Sequence, residues 1–262
     1  MTSNLERWEL AERKRSAYEA TQIGDSELQA VTEDLTRYVH PPADTIHPLE
    51  FAFHLLGDVT GKTVLEYGCG DGVNTVLLAN RNAHVISLDL SPELVELAQR
   101  RVRFNKISAG IDFIVGSAHN LPLPDESVDV VFGIAILHHL DLALSAAEVR
   151  RVLRPGGKAI FQEPVRNSAL LKAVRKLIPH QAPNISPFER PLTDRELTQF
   201  ATGYSNYSSR PFELPTSSLF HFVLSPLRRY TNEPLLRFDA AALRACPPLG
   251  YYSPVKVIEM IK

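Results

Sequence analysis

From residue 62 to residue 164 the chain alternates short β-branched, apolar runs with segments of helical periodicity, and this restricts its fold more than any other feature. The runs are KTVLEY (62–67), HVISLD (84–89), IDFIVG (111–116), SVDVVFGIA (127–135) and GKAIFQEP (157–164), the last entered through a Pro155-Gly156-Gly157 turn. Between the first two, Val73, Val76, Leu77 and Asn80 recur at helical spacing. SPELVELAQRRVRFNKI opens with Ser91 as N-cap, Pro92 at the first helical position and Glu93 in the first turn. A further helix is predicted over DLALSAAEVRRVLR (141–154). Strands that are apolar on both faces, separated by amphipathic helices, need cover on both sides. The prediction is therefore an α/β, doubly wound, Rossmann-like and mostly parallel sheet.

The flanks read differently. Residues 1–60 are predicted as an N-terminal helical cap, with helices in ERWELAERKRSAYEA and HPLEFAFHLL on either side of Pro41-Pro42. Residues 61–164 form the core. Residues 165–262 hold eleven of the nineteen prolines and are predicted to complete the core around cap insertions near 165–193 and 213–250. Within them, SALLKAVRKLIPH (168–180) reads as an amphipathic helix with a basic face. TDRELTQFATGY carries a capping box of Thr193 and Glu196. YYSPVKVIEMIK places Val255, Val257, Glu259 and Ile261 on one face of a last strand.

Composition narrows the partners. The net charge is −2, so no global basic field draws nucleic acid to the chain, although residues 165–262 carry 13 basic against 7 acidic side chains. The two cysteines, Cys69 and Cys246, have no metal-binding or disulfide spacing, so a reducing cytoplasm and no metal are expected. The longest apolar run, VVFGIAIL, is too short to span a bilayer, and MTSNLERWELAERKRSAYEA is too charged to be expected to act as a signal-peptide apolar region. Membrane insertion is not expected, whereas peripheral contact through the basic segment is compatible with the sequence.

The first strand runs into VLEYGCGDG, where Gly68, Gly70 and Gly72 bare the backbone ahead of a helix N-terminus. A dinucleotide fingerprint would read G-x-G-x-x-G; here the spacing is G-x-G-x-G, with Glu66 before it and Asp71 inside it. Two carboxylates disfavour a diphosphate. Asp89 ends the second strand, where a carboxylate can accept both ribose hydroxyls. A nucleoside that carries an ammonium or sulfonium group suits all three acids.

At this point the chain resembles the class I S-adenosylmethionine-dependent methyltransferases, in the small-molecule, type 11-like group. The likeness spans about residues 60–164 through VLEYGCGDG, SLDLSPELVELAQRR, VGSAHNLPLPDESVDVVFGIAILHHL and EVRRVLRPGGKAIFQEP, in that order. It implies a seven-stranded sheet with an antiparallel last strand and S-adenosylmethionine as cofactor. The cofactor would contact Gly68, Cys69, Gly70 and Gly72 along its methionine portion and Glu66 at its ammonium, with Asp89 on the ribose. Leu90 would pack on adenine, and Ser117, Ala118 and His119 would face the adenine edge. Ser117 departs from the group, which commonly has an aspartate there. Cys69 itself reads as a packing residue rather than a nucleophile.

His138 and His139 follow the fourth strand, at the sheet edge that binds ligands, and either could serve as general base or orient the loop. The stretch GIAILHHL lacks the Asn/Asp-Pro-Pro-aromatic pattern of enzymes that methylate base amines. The resemblance thus implies methyl transfer to oxygen, nitrogen or carbon of a small apolar or anionic acceptor, such as a secondary metabolite, quinone or lipid-like molecule. A monomer or homodimer is expected. Two other functions stay open at this level: a non-catalytic S-adenosylmethionine-binding partner protein, and an NAD-dependent oxidoreductase, which the glycine spacing opposes.

Overall fold

A computed structural model of the chain describes residues 4–30, 32–108, 110–169, 190–215 and 228–262. Its centre is a seven-stranded sheet in the order β3-β2-β1-β4-β5-β7-β6. The strands are β1 (Thr63–Tyr67), β2 (His84–Asp89), β3 (Ile111–Val115), β4 (Val128–Ile134), β5 (Leu153–Pro164), β6 (Asn206–Phe212) and β7 (Val255–Ile261). Strands β1 to β5 pair in parallel, while β7 runs antiparallel between β5 and β6, as the sequence led us to expect. The described helices are α1 (Asn4–Gln22), α2 (Thr32–Arg37), α3 (Pro48–Leu56), α4 (Val73–Ala79), α5 (Pro92–Phe104), α6 (Leu142–Val152), α7 (Asp194–Phe200) and α8 (Arg228–Ala245).

Alternation along the strands sorts the core into two layers. Val64, Val85, Val130, Phe132, Ile160 and Val257 bury against Ala52, Phe53 and Leu56 of α3 and Leu77 and Leu78 of α4. Leu65, Tyr67, Leu88, Val131, Phe161, Ile258 and Met260 bury on the other side, against Val149 and Val152 of α6 and Leu197 and Phe200 of α7. Local signals act where they were read. Ser91 Oγ accepts the Leu94 N–H, and Thr193 and Glu196 close a complete capping box at the start of α7.

Two expectations need adjustment. Helix α6 ends at Val152, and β5 begins at Leu153, so Pro155-Gly156-Gly157 lies inside the strand's span and not ahead of it. Leu153 already pairs with Val128, and the register then slips before Val130, a bulge that Gly156 permits with φ of 75°. Strand β7 has no single buried face, because it is covered on both sides, and even Lys256 is buried, paired with Asp194 at 2.6 Å. Most of the helix predicted over 168–180 lies outside the described residues, as does part of the 213–250 insertion. The described part of that insertion, α8, packs beside β6, and its Leu236, Ala240 and Leu243 line a small groove with Arg210 and Phe212.

Candidate active site

The strand order reverses between β1 and β4, and the loops at the C-terminal ends of the parallel strands part there. They enclose a cavity of about 200 Å³, walled by Gly68 and Gly70 after β1, Asp89 and Leu90 after β2, Gly116 to His119 after β3, and Ile134 to Ile136, His139 and Leu140 after β4. Its roof is α1, which presents Trp8, Glu9, Glu12, Arg15, Ser16 and Glu19. These positions recur every three or four residues and so share one helix face.

Glu66 lies one layer beneath the cavity wall. On β1 it stands in register with Ser87 of β2, and the even positions of β1 face α4. Its Oε2 accepts hydrogen bonds from Thr75 Oγ1 at 2.5 Å and Ser87 Oγ at 2.8 Å, while Oε1 is buried without a partner among the described residues. Burial outweighs those two bonds, and neighbouring Asp89 and Asp71 add repulsion, so the carboxyl is pushed up to about 8.

Asp89 shapes the glycine loop as well as facing the cavity. Its Oδ2 accepts the Gly70 N–H at 3.0 Å and its Oδ1 the Ser91 N–H at 2.9 Å. Burial raises its pKa in spite of these bonds. The main-chain N–H groups of Gly68 and Cys69 both donate to Leu88 O, which folds the loop back over β2.

The three glycines differ in what they admit. Gly68 (φ 83°) and Gly70 (φ 50°) border the cavity. Gly72 (φ 82°) does not border it; a Cβ there would come within 2.6 Å of Ala98 Cα in α5. Its missing side chain therefore serves helix packing. Cys69 points the same way, packing with Val95, Ala98 and Phe113, and burial raises its thiol well above the ordinary value. A buried neutral thiol is inert.

The loop after β3 is bound to α1. Ser117 Oγ donates to Glu9 Oε1 and accepts the His119 N–H at 3.0 Å. His119 Nε2 accepts the Asp141 N–H at 2.9 Å, so its proton resides on Nδ1, 2.9 Å from Glu9 Oε1. Beneath the same loop, Tyr67 Oη–H donates to Ala118 O at 2.5 Å.

The histidine pair divides its work. His138 Nδ1 lies 2.9 Å from Glu163 Oε2, and Glu163 Oε1 accepts the N–H groups of Ile136 and Leu137. That fully buried carboxylate at the end of β5 fastens the loop after β4, a role the sequence reading missed although a lone acid at a parallel strand's tip was its signal. His139 reaches the cavity. Glu12 Oε2 lies 3.2 Å from its Nδ1, and Arg15 Nη1 is 3.3 Å from both ring nitrogens. Equal distances to both nitrogens are sterically open only above the ring, so the guanidinium sits over the imidazole face and leaves the in-plane lone pair of Nε2 uncovered. Ala135, in the same loop, holds φ of 54°, an unusual conformation for alanine and common at ligand sites.

Comparison with known proteins agrees with this layout. Residues 65–161 match the family described as methyltransferase domain. The fatty-acid O-methyltransferase of Mycolicibacterium smegmatis is 39% identical over 40% of this chain and 38% of its own length. The chain spans less than half the length of curated relatives such as this one. Phosphoethanolamine N-methyltransferase 2 of Haemonchus contortus, solved with S-adenosylhomocysteine, superposes with a TM-score of 0.59 at 15% identity, over 95% of this chain and 59% of that one. Geranyl diphosphate C-methyltransferase of Streptomyces coelicolor A3(2) superposes with a TM-score of 0.53 at 15% identity, over 80% of this chain and 76% of that one. The sheet order and the family match together define a Rossmann-like methyltransferase domain around residues 65–161. The match and the neighbouring folds support a class I S-adenosylmethionine-dependent methyltransferase domain over these residues.

Proposed function

We propose that the chain binds S-adenosylmethionine in the cavity under α1 and transfers its methyl group to a small organic acceptor. The observation that carries this reading is the charge and shape of the wall: bare backbone at Gly68 and Gly70 beside Asp89, with an unpartnered carboxyl oxygen on Glu66 directly behind. A buried carboxyl without a partner is costly unless a ligand supplies one. Glu9, Glu12 and Glu19 add negative charge from the roof, against a single guanidinium, Arg15. This favours a cationic nucleoside over a dinucleotide.

Asp89 would hold the ribose hydroxyls, because a carboxylate oxygen with one backbone donor retains a lone pair for another. Leu90 and Ala118 would pack on the base, and Glu66 would hold the ammonium through water. S-adenosylmethionine, when bound, supplies a methyl group on a sulfonium, an electrophile already activated for in-line displacement. The protein's work is then to align the acceptor and keep water out. Relatives named for fatty-acid and phthiotriol dimycocerosate methylation support a lipid-like acceptor.

Titration calorimetry provides the first test. S-adenosylhomocysteine should bind and NAD should give no heat; the reverse outcome would assign the cavity to an oxidoreductase.

His139 is the side chain placed to take a proton from an acceptor hydroxyl, with Glu12 near Nδ1 and Nε2 open. His139→Asn should lower kcat for a phenol or alcohol acceptor by about 10²-fold. For a fatty-acid acceptor, already ionised at neutral pH, the change should be less than about threefold. Equal losses with both acceptors would remove His139 from proton transfer.

A further inference from the structure

The adenine ring carries an exocyclic amine that needs an acceptor once it leaves water. The loop beside it offers Ser117, but that hydroxyl is committed: its proton goes to Glu9, and its oxygen accepts the His119 N–H. We infer that Glu9, delivered from the N-terminal helix, is the residue that reads the adenine amine. The inference rests on the cavity being the S-adenosylmethionine site.

Three observations support it. Glu9 lines the cavity together with Leu90, Ser117 and Ala118, 108 residues away in sequence from the loop it joins. Its Oε1 is anchored twice, by Ser117 Oγ and by His119 Nδ1, whereas Oε2 makes no hydrogen bond among the described residues. The anchor is itself fixed, because the Asp141 N–H holds His119 in the tautomer that donates from Nδ1. A carboxylate so oriented by one oxygen presents the other as a ready acceptor, and no ordering cost remains to be met on binding.

The arrangement also explains the polar roof. Helix α1 has no fully buried residue; Ala20 packs it on Leu94 and Leu97 of α5, and Glu9 with Ser117 and His119 fastens it over the cavity. Recognition of the base and seating of the roof thus share one side chain.

The discriminating probe is S-inosylhomocysteine, in which the amine is replaced by a carbonyl oxygen that would face the Glu9 carboxylate. Wild-type protein should bind S-adenosylhomocysteine at least about tenfold more tightly than this analogue, since a charged hydrogen bond is exchanged for repulsion. Glu9→Ala should bring the two affinities within about threefold of each other. If Glu9 only seats α1, the substitution would weaken both ligands alike and keep their ratio, and that result would overturn the assignment. Retention of wild-type affinities and ratio would overturn it too. Binding of neither ligand by the folded wild-type chain would instead refute the cofactor site itself. Glu9→Gln, which keeps an acceptor oxygen without the charge, should retain part of the discrimination.

Discussion

Asp89→Ala should weaken S-adenosylhomocysteine binding by a factor of about 10² to 10⁴, the largest loss expected from any single cavity residue. Each ribose hydroxyl bonded to a buried carboxylate contributes roughly 1.5–3 kcal/mol, and two such bonds would be lost together. The geometry adds a second effect. Asp89 accepts the Gly70 and Ser91 N–H groups, so alanine also releases the glycine loop and the N-terminal entry to α5. Asp89→Asn separates the two contributions, because its single carbonyl oxygen can serve one backbone donor while its amide adds a donor of its own. Its affinity should fall between those of wild type and alanine, with a melting temperature nearer wild type. Calorimetry on the three proteins provides the check. Wild-type affinity in the alanine variant would place the ribose elsewhere.

The parts of this site written in local sequence were legible there. Glu66, the glycine turn and Asp89 follow from strand period and turn chemistry within 25 residues, and the N-cap of α5 and the capping box of α7 from short local patterns. Gly72 shows the limit of that reading: a glycine signals close approach but not of what, and its neighbour is Ala98 of α5. The histidine pair was visible, yet its division of labour depends on Glu163, 25 residues beyond His138, and on Glu12 and Arg15, more than 120 residues before His139. The roof was the least legible element. Helix α1 has no fully buried residue and no strong apolar stripe to mark its inner face, so nothing in α1 alone distinguishes the side that meets the cavity.

Glu66 makes the stability of the ligand-free protein run against the usual acid sensitivity. Its folded pKa, raised to about 8 from 4.5, means that between those values the native state holds a proton that the unfolded chain has released. Stability should therefore fall as pH rises through this window, by as much as about 5 kcal/mol in all. Asp89, raised by the same burial, adds to the slope at its acidic end. Carboxylates lowered by their partners act in the opposite direction but at more acidic pH; Glu196, held at about 2 by Arg190, is one. From pH 5 to pH 8, where about 3.5 kcal/mol of that effect falls, the melting temperature should drop by roughly 7–14 °C, at about 2–4 °C per kcal/mol for a chain of this size. Glu66→Gln, uncharged at every pH and able to accept from Thr75 and Ser87, should lose most of that drop. A bound ammonium reverses the balance, since a nearby cation favours the ionised carboxyl. S-adenosylhomocysteine binding near pH 7 should then release close to one proton from wild type and almost none from Glu66→Gln, measured as the dependence of binding heat on buffer ionisation enthalpy. Equal proton release from both proteins would remove Glu66 from the ammonium site, and equal melting slopes would show that its carboxyl is already ionised in the fold.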